Sequence, residues 1–83
     1  MNRRYTPVSC DIYSRYELAI LRRQWLRLAW SGPGGTPRLE RLQPRDLVTR
    51  RGAEYLVARS RSGVTRVMRL DRIRSAEPLG PAT

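Results

Sequence analysis

The segment CDIYSRYELA, residues 10–19, gathers Asp11, Tyr13, Ser14, Tyr16 and Glu17 in a chain of formal charge +10 that has only seven acidic residues. Acids and phenols this close can cap a helix, pair with arginines, or present negative charge and flat rings to a partner. They do not form a catalytic set. The chain has no histidine and a single cysteine, Cys10, which excludes a Cys–His nucleophile and leaves too few ligands for a protein-only zinc site. The stretch GPGG lacks the Lys-Ser/Thr and following helix that a phosphate-cradling loop needs. These residues predict no enzyme, no cofactor and no small-molecule substrate.

The second chemical signal is arginine. All 17 basic residues are arginine and lysine is absent. GC-rich codon usage is the plain account of that bias. Phosphate recognition is the functional one, because the planar guanidinium fork matches phosphate better than an ammonium does. The charge itself predicts attraction to polyanions. Arg50, Arg51, Arg59, Arg61, Arg66 and Arg69 are the candidate nucleic-acid contacts, with RNA the expected partner in that reading. Trp25 and Trp30 can stack a base, but a chain without phenylalanine needs its tryptophans for the core.

Several elements must position these residues. Asp11 can cap a helix, and Ser14 with Glu17 fits the S-x-x-E capping box; the two starts compete. At about 100° per residue, Ile12, Tyr13, Tyr16, Ala19 and Ile20 share the arc that packs on the core. The helix can run to Trp30, since ELAILRRQWLRLAW holds good helix formers throughout. From Gln24, however, the pattern alternates, with Leu26, Leu28 and Trp30 on one face, and it ends in SGPGGTP, which suggests a strand leading into a hairpin loop; local pattern favours the two readings about equally. Further strands are expected in RLERLQ, Glu54–Ser60, the VTRVMRL segment and DRIRS, with DLV a short apolar piece before a turn at Gly52 and another turn at Ser62–Gly63. A helix followed by five short strands suggests a strongly bent sheet or a partly closed barrel, and closure would remove exposed edges.

Eighty-three residues make one domain, 1–83, with order expected from about residue 5 to 75 and a flexible tail at 76–83, where AEPLGPAT carries two prolines and a glycine. No apolar run approaches the roughly 20 residues of a membrane span, and the first residues lack the apolar core of a signal peptide. A cytoplasmic protein is expected.

Three motifs together carry a family resemblance. CDIYSRYELA, DLVTRRGAEYLV and TRVMRLDRI resemble the Rho-binding antiterminators, the Rof-type inhibitors of the bacterial termination factor Rho. The matching residues are Cys10, Asp11, Tyr13 and Glu17–Ala19; Asp46–Val48 and Glu54–Val57; and Thr65, Arg66, Arg69–Asp71 and Ile73. The resemblance implies an α+β, mainly β fold: an N-terminal helix followed by a small five-stranded Sm-like barrel, with a strand from about Gln24. It implies that the protein binds the N-terminal RNA-loading domain of Rho, blocks RNA binding and reduces termination. Asp11, Tyr13, Ser14 and Glu17 would then face Rho and imitate RNA. The alternative is an Sm-like RNA-binding protein that uses its arginine-rich surface.

Overall fold

The structure is a computed structural model that describes residues 4–80. The helix α1 (Cys10–Leu21) is followed by β1 (Leu26–Ser31), a 3₁₀ turn at Pro33–Gly35, β2 (Pro37–Arg50), β3 (Ala53–Arg59), β4 (Thr65–Arg69), a second 3₁₀ turn at Leu70–Arg72, and β5 (Ile73–Pro78). The mainly β, α+β reading therefore holds. The strands form one antiparallel sheet in the order β4-β3-β2-β1-β5.

Neither of the competing helix starts is used. Ser9 is the N-cap, and its Oγ accepts the Ile12 N–H at 3.3 Å. Asp11 lies in the first turn, where a carboxylate complements the positive end of the helix dipole. Ser14 and Glu17 are interior helix positions and exposed. The helix stops well before Trp30. Arg23 takes a left-handed conformation (φ 52°), its N–H bonds the Ile20 carbonyl, and the Gln24 N–H reaches back to the Ala19 carbonyl. That is a Schellman stop with arginine where glycine is usual.

The expected alternation in β1 is present: Leu26, Leu28 and Trp30 are buried and Arg27 is exposed. RLERLQ, expected as a strand, and DLV, expected as a short apolar piece before a turn, lie in one 14-residue strand. Its first half pairs with β1 as far as Leu42, and its second half pairs with β3 from Gln43. Between the halves Pro44 pairs with Ala58 and Asp46 with Val57, so Arg45 is an extra, bulged residue. Bulges of this kind bend a strand and raise its twist. A second bulge places Arg74 between Ile73 and Ser75, opposite β1.

The Sm-like barrel that the resemblance implied is corrected to an open sheet, since β4 and β5 stand at its two ends and do not pair among the described residues. The sheet still curls. Four residue steps from Arg69 to Ile73 span at most about 14 Å, whereas five flat strands would put the outer pair about 19 Å apart. The chain closes this gap with a 3₁₀ turn instead of a ladder, so the edges approach without bonding. The tail expected from residue 76 also needs correction: Ala76, Glu77 and Pro78 pair with Leu28, Arg27 and Leu26, and the Leu79 N–H bonds the Trp25 carbonyl. Residues 81–83 of that tail lie outside the described residues.

Tyr16 and Ala19 of α1 join Leu26, Leu28, Trp30, Leu42, Leu56, Ala58, Met68 and Leu70 in one core, with Tyr13 and Ile20 packed against it. The helix thus packs its Tyr16 and Ala19 face on the sheet and leaves its Arg15 and Arg22 outside.

Candidate nucleic-acid interface

The six arginines singled out from sequence do not converge. Arg50 and Arg51 lie at the β2–β3 turn, where Arg51 (φ 52°) and Gly52 (φ 77°) are both left-handed, as a two-residue hairpin of this hand requires. Arg66 is committed to Glu40, with Nε to Oε1 at 2.8 Å and Nη2 to Oε2 at 3.3 Å. Arg69 grips Asp71 through two bonds, at 2.7 and 2.8 Å. Burial pushes the Asp71 carboxyl up, but the hydrogen bonds from Arg69 and from the Thr6 N–H, with the charges of Arg69 and Arg72, outweigh it and hold that carboxyl below its ordinary value.

Arg59 and Arg61 are different. They flank the β3–β4 turn, which is tied down by Ser60 N–H to the Val64 carbonyl, Gly63 N–H to the Ser60 carbonyl, and Val64 N–H to Ser60 Oγ. The Arg59 Nε–H reaches the Gly63 carbonyl at 3.4 Å. The Arg61 guanidinium lies 5.3 Å from the centre of the Trp25 ring, within cation–π range. Trp25, Arg59 and Arg61 line a shallow groove with Gln43 and the bulged Arg45, and no carboxylate lines it. Gln43 and Arg45 also wall an adjoining depression beside Ile20 and Arg23. Gln43 is fixed by donating to the Arg23 carbonyl at 2.9 Å and accepting from Arg45 at 3.5 Å. Sequence reasoning passed over Arg23, Gln43 and Arg45. Arg23 is a helix stop and Arg45 a bulge, and neither leaves a mark in residue periodicity. Trp25 was assigned to the core; it is half-buried, and Trp30 is the fully packed one.

The acidic helix face is dispersed as well. Asp11, Ser14 and Glu17 are exposed, while Tyr13 packs against the core. Burial raises the Tyr13 phenol pKa, and the carboxylates of Glu54, Glu17 and Asp46 add to the effect. A ring held this way is not a free stacking surface.

Residues 11–78 match the WYL domain family. This chain belongs to the WYL domain family. That membership overturns the resemblance to Rho-binding antiterminators and, with it, the inference of Rho inhibition. The first shared motif lies on α1 and the other two on β2–β3 and on β4 with the turn after it; Asp46 accepts the Leu47 N–H, Leu56 is in the core and Asp71 pairs with Arg69. The WYL domain is similar in structure to proteasome accessory factor B/C (PafBC) of Arthrobacter aurescens, with a TM-score of 0.76 and 24% identity over 98% of this chain. It corresponds to 13% of the length of that protein. No curated protein matches the sequence. Among the described residues there is no cluster able to hold a metal ion and no helix long and apolar enough to cross a membrane.

Proposed function

We propose that this WYL domain is a non-catalytic regulatory module serving transcription, and that it binds single-stranded nucleic acid, DNA in the first instance, in the groove of Arg23, Arg45, Arg59, Arg61 and Trp25. The observation that carries this reading is Arg61 over Trp25, beside Arg45 and Arg59, in a wall without a carboxylate. Arginines there would take phosphates and the indole face would take a base. That pairing of a positive groove with an aromatic platform is how sequence-tolerant single-strand binders work.

The test is binding of a fluorescent oligothymidylate to the 83-residue chain. Replacing Arg59 and Arg61 together with Ala should weaken binding strongly, and Trp25→Leu should cost about 1–3 kcal/mol, the usual worth of one stacked base. Full affinity in both variants, with the fold intact by circular dichroism, would overturn the reading.

A further inference from the structure

A second concavity lies on the other side of the residue 24–26 link. It opens between α1 and β5 and has a volume of about 360 Å³, inside the range of small-ligand sites, roughly 300–1,000 Å³. Its floor is apolar, built from Tyr16, Ala19, Leu26 and Leu70, with Ile73 and Ala76 of β5 as the far wall. Three arginines line it: Arg15 and Arg22 from the helix and Arg74 from the strand. Arg15 and Arg22 are seven residues apart, two helical turns on one face, and Arg74 is the bulged residue of β5. All three are exposed, and no carboxylate lines the cleft. None of the three forms an ion pair among the described residues.

We propose that this cleft binds a small amphipathic anion: a hydrocarbon or aromatic body seated on the apolar floor, with a single carboxylate or phosphate head held by Arg15, Arg22 and Arg74. A uniformly polar anion would leave the floor unmatched, and an uncharged apolar molecule would leave the guanidinium groups with water alone. An amphipathic anion satisfies both walls at once. The site is separate from the arginine groove, yet the chain connects them: Gln24 and Leu26 line the cleft, and Trp25 between them lines the groove. A ligand against Gln24 and Leu26 therefore lies one residue from the stacking platform.

Calorimetric titration of the 83-residue chain with decyl phosphate, decanoate, octyl phosphate and decanol, all below their micellar range, tests the proposal. Decyl phosphate and decanoate should each bind at one saturable site. Octyl phosphate should bind about tenfold more weakly than its decyl homologue, because each buried methylene is worth about 0.8 kcal/mol. The triple variant R15A/R22A/R74A changes only exposed side chains and should weaken decyl phosphate by about tenfold or more. A76L, which fills the far wall, should block binding while thermal unfolding remains cooperative. The R59A/R61A variant should bind decyl phosphate normally, so loss of DNA binding and loss of this site are read separately. Decanol binding as tightly as decyl phosphate, non-saturable uptake, unchanged affinity in the triple variant, or binding of an acidic amphipathic peptide but of no small anion would each overturn the proposal.

Discussion

At the scale of single residues, the most constrained cluster joins the N-terminal segment to the turn before β5. Arg69 forks onto Asp71, its guanidinium lies 5.9 Å from the centre of the Tyr5 ring, and the Tyr5 hydroxyl donates to Glu54 Oε1 at 2.9 Å. The Arg69 and Asp71 side chains are only 14% and 9% exposed, so removing one leaves a charge with little water to solvate it. Asp71→Asn should cost about 3 kcal/mol, the lower end for a broken buried pair. Because the folded carboxyl is held below its ordinary value, its stabilising contribution is complete above the unfolded pKa of about 3.9 and is lost as pH falls through the folded value. The gap between wild type and Asp71→Asn in urea unfolding should therefore narrow below about pH 4, and a gap independent of pH would refute the pairing. Tyr5 runs the other way. Burial, then its hydrogen bond to Glu54, push the phenol up to about 12. Its neutral form is favoured in the folded state, so that contribution is whole below the unfolded pKa of about 10 and fades as pH rises toward 12. Ultraviolet titration of phenolate should lose its latest-ionising tyrosine in Tyr5→Phe. Neither role was legible in the sequence. Arg69 stood among the nucleic-acid candidates, and a two-residue spacing turns into a bidentate contact only when a 3₁₀ turn folds it back.

The elements show why some boundaries could be read and others could not. The period of two at Leu26, Leu28 and Trp30 marked β1 but competed with good helix-forming residue types, and it is the buried face that enforces the strand's register. The helix start was misread because Asp11, Ser14 and Glu17 imitate capping residues by type, while Ser9 is selected by where the extended segment meets the first turn. Ser9→Ala should lower stability by about 1 kcal/mol. Ser14→Ala, at an exposed interior position, should raise it by a few tenths of a kcal/mol through helix propensity, about half a kcal/mol at most. Equal losses from both would restore the capping box. The helix stop was hidden because arginine occupies the left-handed site, and no residue type announces an arginine in that role. The bulge at Arg45 was hidden for a related reason. Pro44 is buried and paired with Ala58 in one continuous bent strand. Lacking an N–H, proline is tolerated in a sheet where pairing is already interrupted by a bulge. Arg51 is, after Arg23, the second left-handed site without glycine among the described residues. Arg51→Gly should therefore be neutral or slightly stabilising, while Gly52→Ala, whose added carbon meets nothing within 4 Å, should cost about 1 kcal/mol through backbone conformation alone.

At the scale of the whole molecule, a formal charge of +10 attracts any polyanion, so attraction alone says nothing about a site. The fold sorts the arginines into roles: Arg66 and Arg69 are neutralised by Glu40 and Asp71, Arg50 and Arg51 sit at one end of the β2–β3 hairpin, and Arg59 stands at the other. Six residue steps along β3 separate the ends, about 20 Å at strand rise, more than two Debye lengths at physiological salt. The two arginine pairs are thus electrically independent and of equal charge, which makes one the natural control for the other. For single-stranded nucleic acid, log K falls with log salt by about 0.7 per phosphate neutralised. Contacts from Arg23, Arg45, Arg59 and Arg61 would give a slope of about −3. Alanine at both Arg59 and Arg61 should flatten it by about 1.4, whereas alanine at both Arg50 and Arg51 should lower affinity little and leave the slope unchanged. If both double variants flatten the slope equally, binding follows the overall field, and the Trp25 groove has no special claim on the ligand. If only the Arg59 and Arg61 pair matters, the ligand's phosphates lie where the β3–β4 turn holds its arginines against the indole.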